Sequence, residues 1–251
     1  MNTYEEQANL ELQLWKIELM KKPSILSKLA LKVQTKINSY IPTKVHKAIT
    51  LTIKQMVKAV LFGSTYTTSA TPDESMSLLH REALVKAKIG SYSKTGAAEG
   101  GITGAGGFLM SMADFPILIG IKLKMLFEIA ALYGLSVKDY RERLYILHIF
   151  QLAFSSKKGA QNIFQQMQNW DEKLIVLPEN ADQFDWQNFQ QEYRDYIDLA
   201  KLAQLLPVVG AAVGAVANYQ LIKKLGETAM NSYRLRILKF ASPEDRESEN
   251  R

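Results

Sequence analysis

The sequence predicts an all-α protein: a single multi-helix bundle with a glycine-rich helical core and basic amphipathic N-terminal helices. Three observations carry that reading. Apolar residues recur at the helical period through the long segments. No segment alternates apolar and polar residues between hairpin turns. Six glycines (Gly96, Gly100, Gly101, Gly104, Gly106 and Gly107) crowd into residues 96–107, directly before a strongly apolar stretch. A glycine costs a helix about 1 kcal/mol relative to alanine, so such a run points to backbones that approach closely.

The elements follow in chain order. Leu10, Leu14, Ile17 and Met20 lie at helical spacing within residues 4–21, and Pro23 ends that helix. A second helix is expected from Ser24 to Tyr40 and a third from Lys44 to Phe62, each with an apolar row flanked by lysines. Amphipathic basic helices of this kind lie at a membrane interface in some proteins, but packing on their own domain is the commoner outcome. Gly63 to Thr71 is a polar connector. Thr71, Pro72 and Glu74 spell a capping box with proline at the first helical position, and Gly90 reads as that helix's left-handed cap.

Asp114 and Pro116 read as the start of an apolar helix that runs from Phe115 to Gly134 and carries Lys122, Lys124 and Glu128 in its interior. Ser136 to Asp139 cap the next, through Phe154. A short polar helix follows at Gln161–Trp170, then an acidic surface loop from Asp171 to Phe184. Trp186–Leu206 and Val208–Phe240 complete the helices, and the polar tail has the composition of disorder. The resulting division is 1–62 as a basic helical region, 72–240 as the main helical domain and 241–251 as tail.

Composition narrows the function classes. The 251 residues are enough for a substantial core, and 47% hydrophobic with 22% charged residues is globular composition. Cysteine is absent, which removes disulfides and thiolate metal sites. The N-terminal residues have no apolar signal-peptide core, so an intracellular protein, cytoplasmic and peripheral at a membrane, is expected. The net charge of +6 is uneven: ten lysines between Lys16 and Lys58 face one acid, Glu18, whereas Asp171–Asp198 holds eight acids. A basic face of this kind suits an anionic membrane surface or an acidic membrane-protein partner. Nucleic acid is the weaker match, because the lysine-rich region has no recognised motif or aromatic platform.

Several motifs are excluded. The 21 uncharged residues between Lys201 and Lys223 are long enough to span a bilayer, but they contain Pro207, Gln204, Asn218 and Gln220 and are rich in alanine and glycine. Buried helices are the expectation there. The glycines around Gly104 lack the lysine of a phosphate loop and the preceding strand of a dinucleotide site. Close packing is the better account of Gly100, Gly101, Gly104, Gly106 and Gly107, met by Gly210 and Gly214, a small-xxx-small pair on the last helix. His46, His80 and His148 are isolated and no zinc or nucleophile motif occurs, whereas a carboxylate-bound Mg²⁺ site, built from distant helices, would leave no spacing to read and stays open.

Polar groups on otherwise apolar helices remain as site candidates. Asp114 and Glu128 are 14 positions apart and share a helix face, and Glu227, Asn231 and Arg234 follow i, i+4, i+7 spacing, with Asn218 upstream and Arg236 beside them. The plain reading makes Asp114 an N-cap and the others ion pairs. The sharper one gathers Asp114, Glu128 and Arg234 into one buried cluster that binds a ligand or head group, although structural ion pairs imitate such sites.

Two runs resemble a known family. GGITGAGGFLMSMADFPILIGIKLKMLFEIAALYGL (residues 100–135) is similar to the central signature of EcsC-family proteins, and LLPVVGAAVGAVANYQLIKKLGETAMNSYRLRIL (205–238) to the C-terminal one. The resemblance covers roughly residues 70–240; the preceding helices match only in being helical and basic. It implies a hydrophobic protein without an established biochemical activity. The family's namesake operon also encodes the ATPase and membrane subunits of an ABC transporter linked to secretion and protein processing. No catalytic residue carries over. The leading expectation is therefore a non-enzymatic, membrane-associated accessory protein, and the alternative a hydrolytic or lipid-directed enzyme built on Asp114, Glu128 and Arg234.

Overall fold

The computed structural model describes residues 3–21, 43–62, 75–105, 107–178, 183, 185, 189 and 211–238, excluding the side chains of 43–46, 48, 49, 61, 62, 100–105, 107–114 and 211–214. These residues form an all-α bundle of eight helices with no strand. The helices are α1 (Thr3–Met20), α2 (Thr43–Phe62), α3 (Leu78–Ala105) and α4 (Gly107–Leu132), then α5 (Tyr140–Phe154), α6 (Lys157–Met167), α7 (Trp170–Val176) and α8 (Ala211–Ile237). None of the described helices is long and apolar enough to cross a membrane.

Helix α5 lies in the middle of the core. From Leu144 to Phe154 every residue is buried, the pattern of a helix covered on all sides. Asp139 caps its N-terminus by accepting the Arg141 N–H at 2.9 Å. Gly134, at φ +86°, is the only described residue with positive φ, and it ends α4 as the sequence predicts. Helix α8 packs most extensively on α3 and also touches α5, α4 and α1.

Several expected boundaries are corrected. Helix α3 starts at Leu78, where the Ser77 hydroxyl accepts the His80 N–H at 3.5 Å; the expected Thr71–Glu74 capping box lies outside the described residues. It also runs straight through Gly90 to Ala105, so that glycine is no cap. Asp114 is not an N-cap, because α4 begins at Gly107 and carries Pro116 inside it. Glycine and proline act as local preferences of about 1 to 3 kcal/mol, which packing along a whole helix outweighs. Asp171 to Val176, expected as the start of a loop, lie in α7. The expected helix Ser24–Tyr40, the connector Gly63–Thr71, the tail 241–251 and, apart from Phe189, the expected helix Trp186–Leu206 lie outside the described residues.

The glycines divide in the same way. Gly100, Gly101 and Gly104 fall in α3, Gly107 opens α4 and Gly214 lies in α8. What they pack against, together with Gly106 and Gly210, lies outside the described residues. Close approach of α3 and α8 is visible instead at Gly96 and Gly226. A Cβ on Gly226 would sit 2.5 Å from Ile89 Cγ1, and one on Gly96 would sit 2.1 Å from Ile222 Cδ1. Both isoleucines are buried and have little room to yield.

This contact predicts opposite signs for two identical substitutions in one bundle. Gly226→Ala should lower stability by about 1–2 kcal/mol, since overpacking exceeds the helix-propensity gain. Gly90→Ala, whose Cβ meets nothing within 4 Å, should raise it by up to about 1 kcal/mol. Urea unfolding of both variants measures this, and a stabilised Gly226→Ala protein would refute the close contact.

Candidate functional site

Arg234 is the centre of the first polar group. Its guanidinium, 1% exposed, donates to both carboxylate oxygens of Glu82 at 2.7 and 2.6 Å, and Glu82 is fully buried. Tyr4 and Tyr133 donate their hydroxyls to the same carboxylate at 2.6 and 3.1 Å. Glu11 on α1 accepts from the remaining side of Arg234 at 2.8 Å, and Asn231 Oδ1 lies 3.4 Å away. Burial would lower the Arg234 guanidinium, but the hydrogen bonds and charge of Glu82, joined by Glu11, hold it above its ordinary value. Burial and the bond to Glu82 push Tyr4 up to about 12.

Arg236 forms a separate group on the other side of α8. It forks onto Glu142 of α5 at 2.8 and 2.9 Å and onto Asp171 of α7 at 2.7 and 3.0 Å. Its guanidinium also lies over the Tyr145 ring, 4.9 Å from the centroid. These are satisfied structural ion pairs.

The remaining candidates are dispersed. Glu128 accepts the Tyr92 hydroxyl at 2.8 Å and pairs with Lys88 at 2.8 Å. Asn218 accepts at 3.2 Å from Lys122, whose ammonium also donates to the Leu118 carbonyl at 3.2 Å. Lys122 is fully buried; desolvation pushes it down to about 7, with Glu99 acting the other way. The Asp114 side chain lies outside the described residues. The expected cluster of Asp114, Glu128 and Arg234 is not what these contacts build: Glu128 pairs with Tyr92 and Lys88, whereas Arg234 pairs with Glu82 and Glu11.

Glu227, Asn231 and Arg234 do share a face, as their spacing predicts. They line a cleft of about 670 Å³ between α1, α3 and α8, along with Lys86, Lys223 and Lys224. Glu128 is not among its lining residues. A smaller cleft of about 360 Å³ between α1, α5, α6 and α8 shares Trp15, Lys224 and Thr228 with the first.

Helix α1 has two unlike faces. Ala8 and Leu12 are buried in the core, and Tyr4 and Glu11 reach the Arg234 group. Leu10, Leu14, Ile17 and Met20, the row that the periodicity singles out, are 62%, 58%, 57% and 43% exposed. Periodicity shows that a helix owns an apolar face; it does not show that the core covers it.

Glu82, Glu142 and Glu11 were not found by sequence reasoning. A signal exists for Glu82: Leu78, Glu82, Val85 and Ile89 follow 4-3-4 spacing, which places a carboxylate on the buried stripe of α3. Lys122 carries the same mark between Leu118 and Met125.

The comparisons with known proteins agree on one family. The model of the EcsC protein family matches residues 6–238, so the match takes in the N-terminal helices as well as the two signature runs. Protein EcsC of Bacillus subtilis (strain 168) is 46% identical over 230 residues, covering 92% of this chain and 94% of the relative. Uncharacterized protein YdbA of the same strain is 33% identical over 160 residues, covering 62% and 59%. No solved structure matches.

Two predictions follow from the buried charges. Arg234→Met should cost about 3–5 kcal/mol by leaving the Glu82 carboxylate buried without its cation. Adding Glu82→Leu should recover most of that loss. Thermal unfolding of the single and double variants separates the two, and an additive double variant would rule out the pairing. For Lys122 the sign is set by its depressed value. Between about pH 7 and its ordinary value of 10.5 the unfolded chain binds the extra proton, so stability rises with pH across that window. Below about pH 7 the penalty is at its full size. The urea midpoint should therefore climb from pH 7 to 9.5, and Lys122→Met should flatten the climb; an unchanged slope would assign it to other groups.

Proposed function

The chain belongs to the EcsC protein family, and from that membership we propose that it is a non-enzymatic accessory protein that docks reversibly on an anionic membrane surface, in the service of ABC transport or secretion. The observation that supports docking is the outward row Leu10, Leu14, Ile17 and Met20 on α1. Contiguous apolar side chains left in water mark interaction surfaces more often than chance. The lysine excess of residues 16–58 supplies the charge that suits an anionic lipid.

Magnitudes favour a reversible contact. Burying one large aliphatic side chain contributes about 1.5–3 kcal/mol, so four that are already partly covered supply several kcal/mol before association costs are deducted. That alone is marginal. Lysines near an anionic surface add about 1 kcal/mol each, so binding should depend on both lipid charge and salt. The enzymatic alternative needs Glu128 and Arg234 around one pocket, whereas Arg234 lines a cleft without Glu128 and already has its hydrogen bonds filled.

Flotation with vesicles containing about 30% phosphatidylglycerol tests this reading. The protein should float at 50 mM salt and largely sink at 500 mM. Leu14→Glu/Ile17→Glu, with an unchanged circular-dichroism spectrum, should lose at least tenfold in partitioning. No flotation of the native chain at low salt would sink the lipid-docking reading.

A further inference from the structure

The cleft between α1, α3 and α8 has features that ion-pair architecture does not use. Its volume of about 670 Å³ lies in the range of small-molecule sites. Lys86, Lys223 and Lys224 stand around it, and its two acids are Glu11 and Glu227. Glu11 holds Arg234 at 2.8 Å, and Glu18, on the adjoining cleft, holds Lys21 at 2.7 Å. Glu227 reaches Lys223 only at 3.9 Å.

Lys224 has no acidic partner among the described residues, and it lines both clefts. Desolvation, and then repulsion from Lys157, lowers its affinity for a proton. In the wall on α3, Ser93 keeps a buried hydroxyl with no hydrogen-bond partner among the described residues. Mid-helix serines usually return such a hydroxyl to a carbonyl one turn back; this one does not. Gly90, one turn away, leaves the wall open, since a Cβ there would meet nothing within 4 Å.

The apolar surface is continuous with these groups. Trp15 lines both clefts, Ile89 and Met230 line the larger, and Leu19 and Leu152 the smaller. Unpaired positive charge at a junction of two apolar grooves complements a molecule with one anionic end and one chain.

We propose that the joined clefts bind a single-chain anionic amphiphile, with its phosphate or carboxylate head at Lys224 and Ser93 and its chain along Trp15 toward Leu152. The anion offsets the Lys224–Lys157 repulsion and gives the Ser93 hydroxyl an acceptor after rotation about χ1. The apolar wall then removes the chain from water. This binding is independent of docking by the outer face of α1, because it uses the opposite side of that helix.

Isothermal titration of the full chain with dodecyl phosphate, kept monomeric below its micellar range, tests the site. Saturable binding at one molecule per chain is expected. Lys224→Met should weaken it at least tenfold and Ser93→Ala severalfold, and Gly90→Leu should fill the cleft and abolish it while the fold persists. Leu14→Glu/Ile17→Glu should bind like the native protein, which separates this site from vesicle docking. Inorganic phosphate binding as tightly as dodecyl phosphate would overturn the chain groove. Dodecyl maltoside binding as tightly would overturn the anionic preference. No saturable binding, or equal affinity in Lys224→Met and Gly90→Leu, would overturn the site.

Discussion

The constraint on which the bundle depends is the burial of Glu82 against Arg234. A carboxylate and a guanidinium removed from water each carry a desolvation penalty of several kcal/mol. The structure meets it with a two-pronged fork, two tyrosine hydroxyls and a second carboxylate. The groups come from α1, α3, α8 and the turn that ends α4, so the charges are satisfied only when these elements are in register. Such a pair adds little net stability over well-packed apolar residues, but every misaligned arrangement leaves a buried charge exposed to a low dielectric. Its contribution is specificity of arrangement. The close glycine contacts depend on that register: Gly226 accepts Ile89 only while α8 holds its axial position on α3.

The second arginine completes the same logic from the opposite side. Residues two apart on a helix point about 200° from one another, so Arg234 and Arg236 leave α8 in nearly opposite directions. One reaches α1 and α3, and the other reaches α5 and α7. Helix α8 is thereby clamped between two halves of the bundle at its C-terminal turns, where positive side chains also complement the helix dipole. Glu142 needs such a partner because α5 is covered on every side. The Arg236 fork supplies it with one hydrogen bond to each carboxylate oxygen, and the Tyr145 ring lies against the same guanidinium.

The sequence made the helical class legible, and most helix locations with it, because periodicity depends only on the chain's own pattern. It was less informative where tertiary contact decides. Gly90 and Asp114 carry local signals for an end and a start, yet both lie inside helices, since packing along 28 and 26 residues overrides one residue's preference. The polar residues show the same limit. Glu227, Asn231 and Arg234 line one cleft, as i, i+4, i+7 spacing on a helix requires. That Glu128 belongs with Tyr92 and Lys88, and not with Arg234, depends on which helices adjoin α4, and a single sequence does not encode neighbours visibly. Glu82 was readable in part, as a carboxylate on an apolar stripe.

Helix α1 is where these limits matter most for function. Its buried side is committed through Tyr4, Ala8, Glu11 and Leu12, and that commitment forces the Leu10–Met20 row outward. A one-position rotation of about 100° would bury part of that row but would withdraw Glu11 from Arg234 and Tyr4 from Glu82. The buried ion pair therefore selects which apolar row faces solvent. The same rotation sets Trp15 in the wall of both clefts. An outer face and a cleft wall on one rigid helix cannot be repositioned independently. While the Arg234 group holds the orientation of α1, occupancy of one leaves the other unchanged; only a ligand that rotated the helix would couple them, and that coupling would be reciprocal.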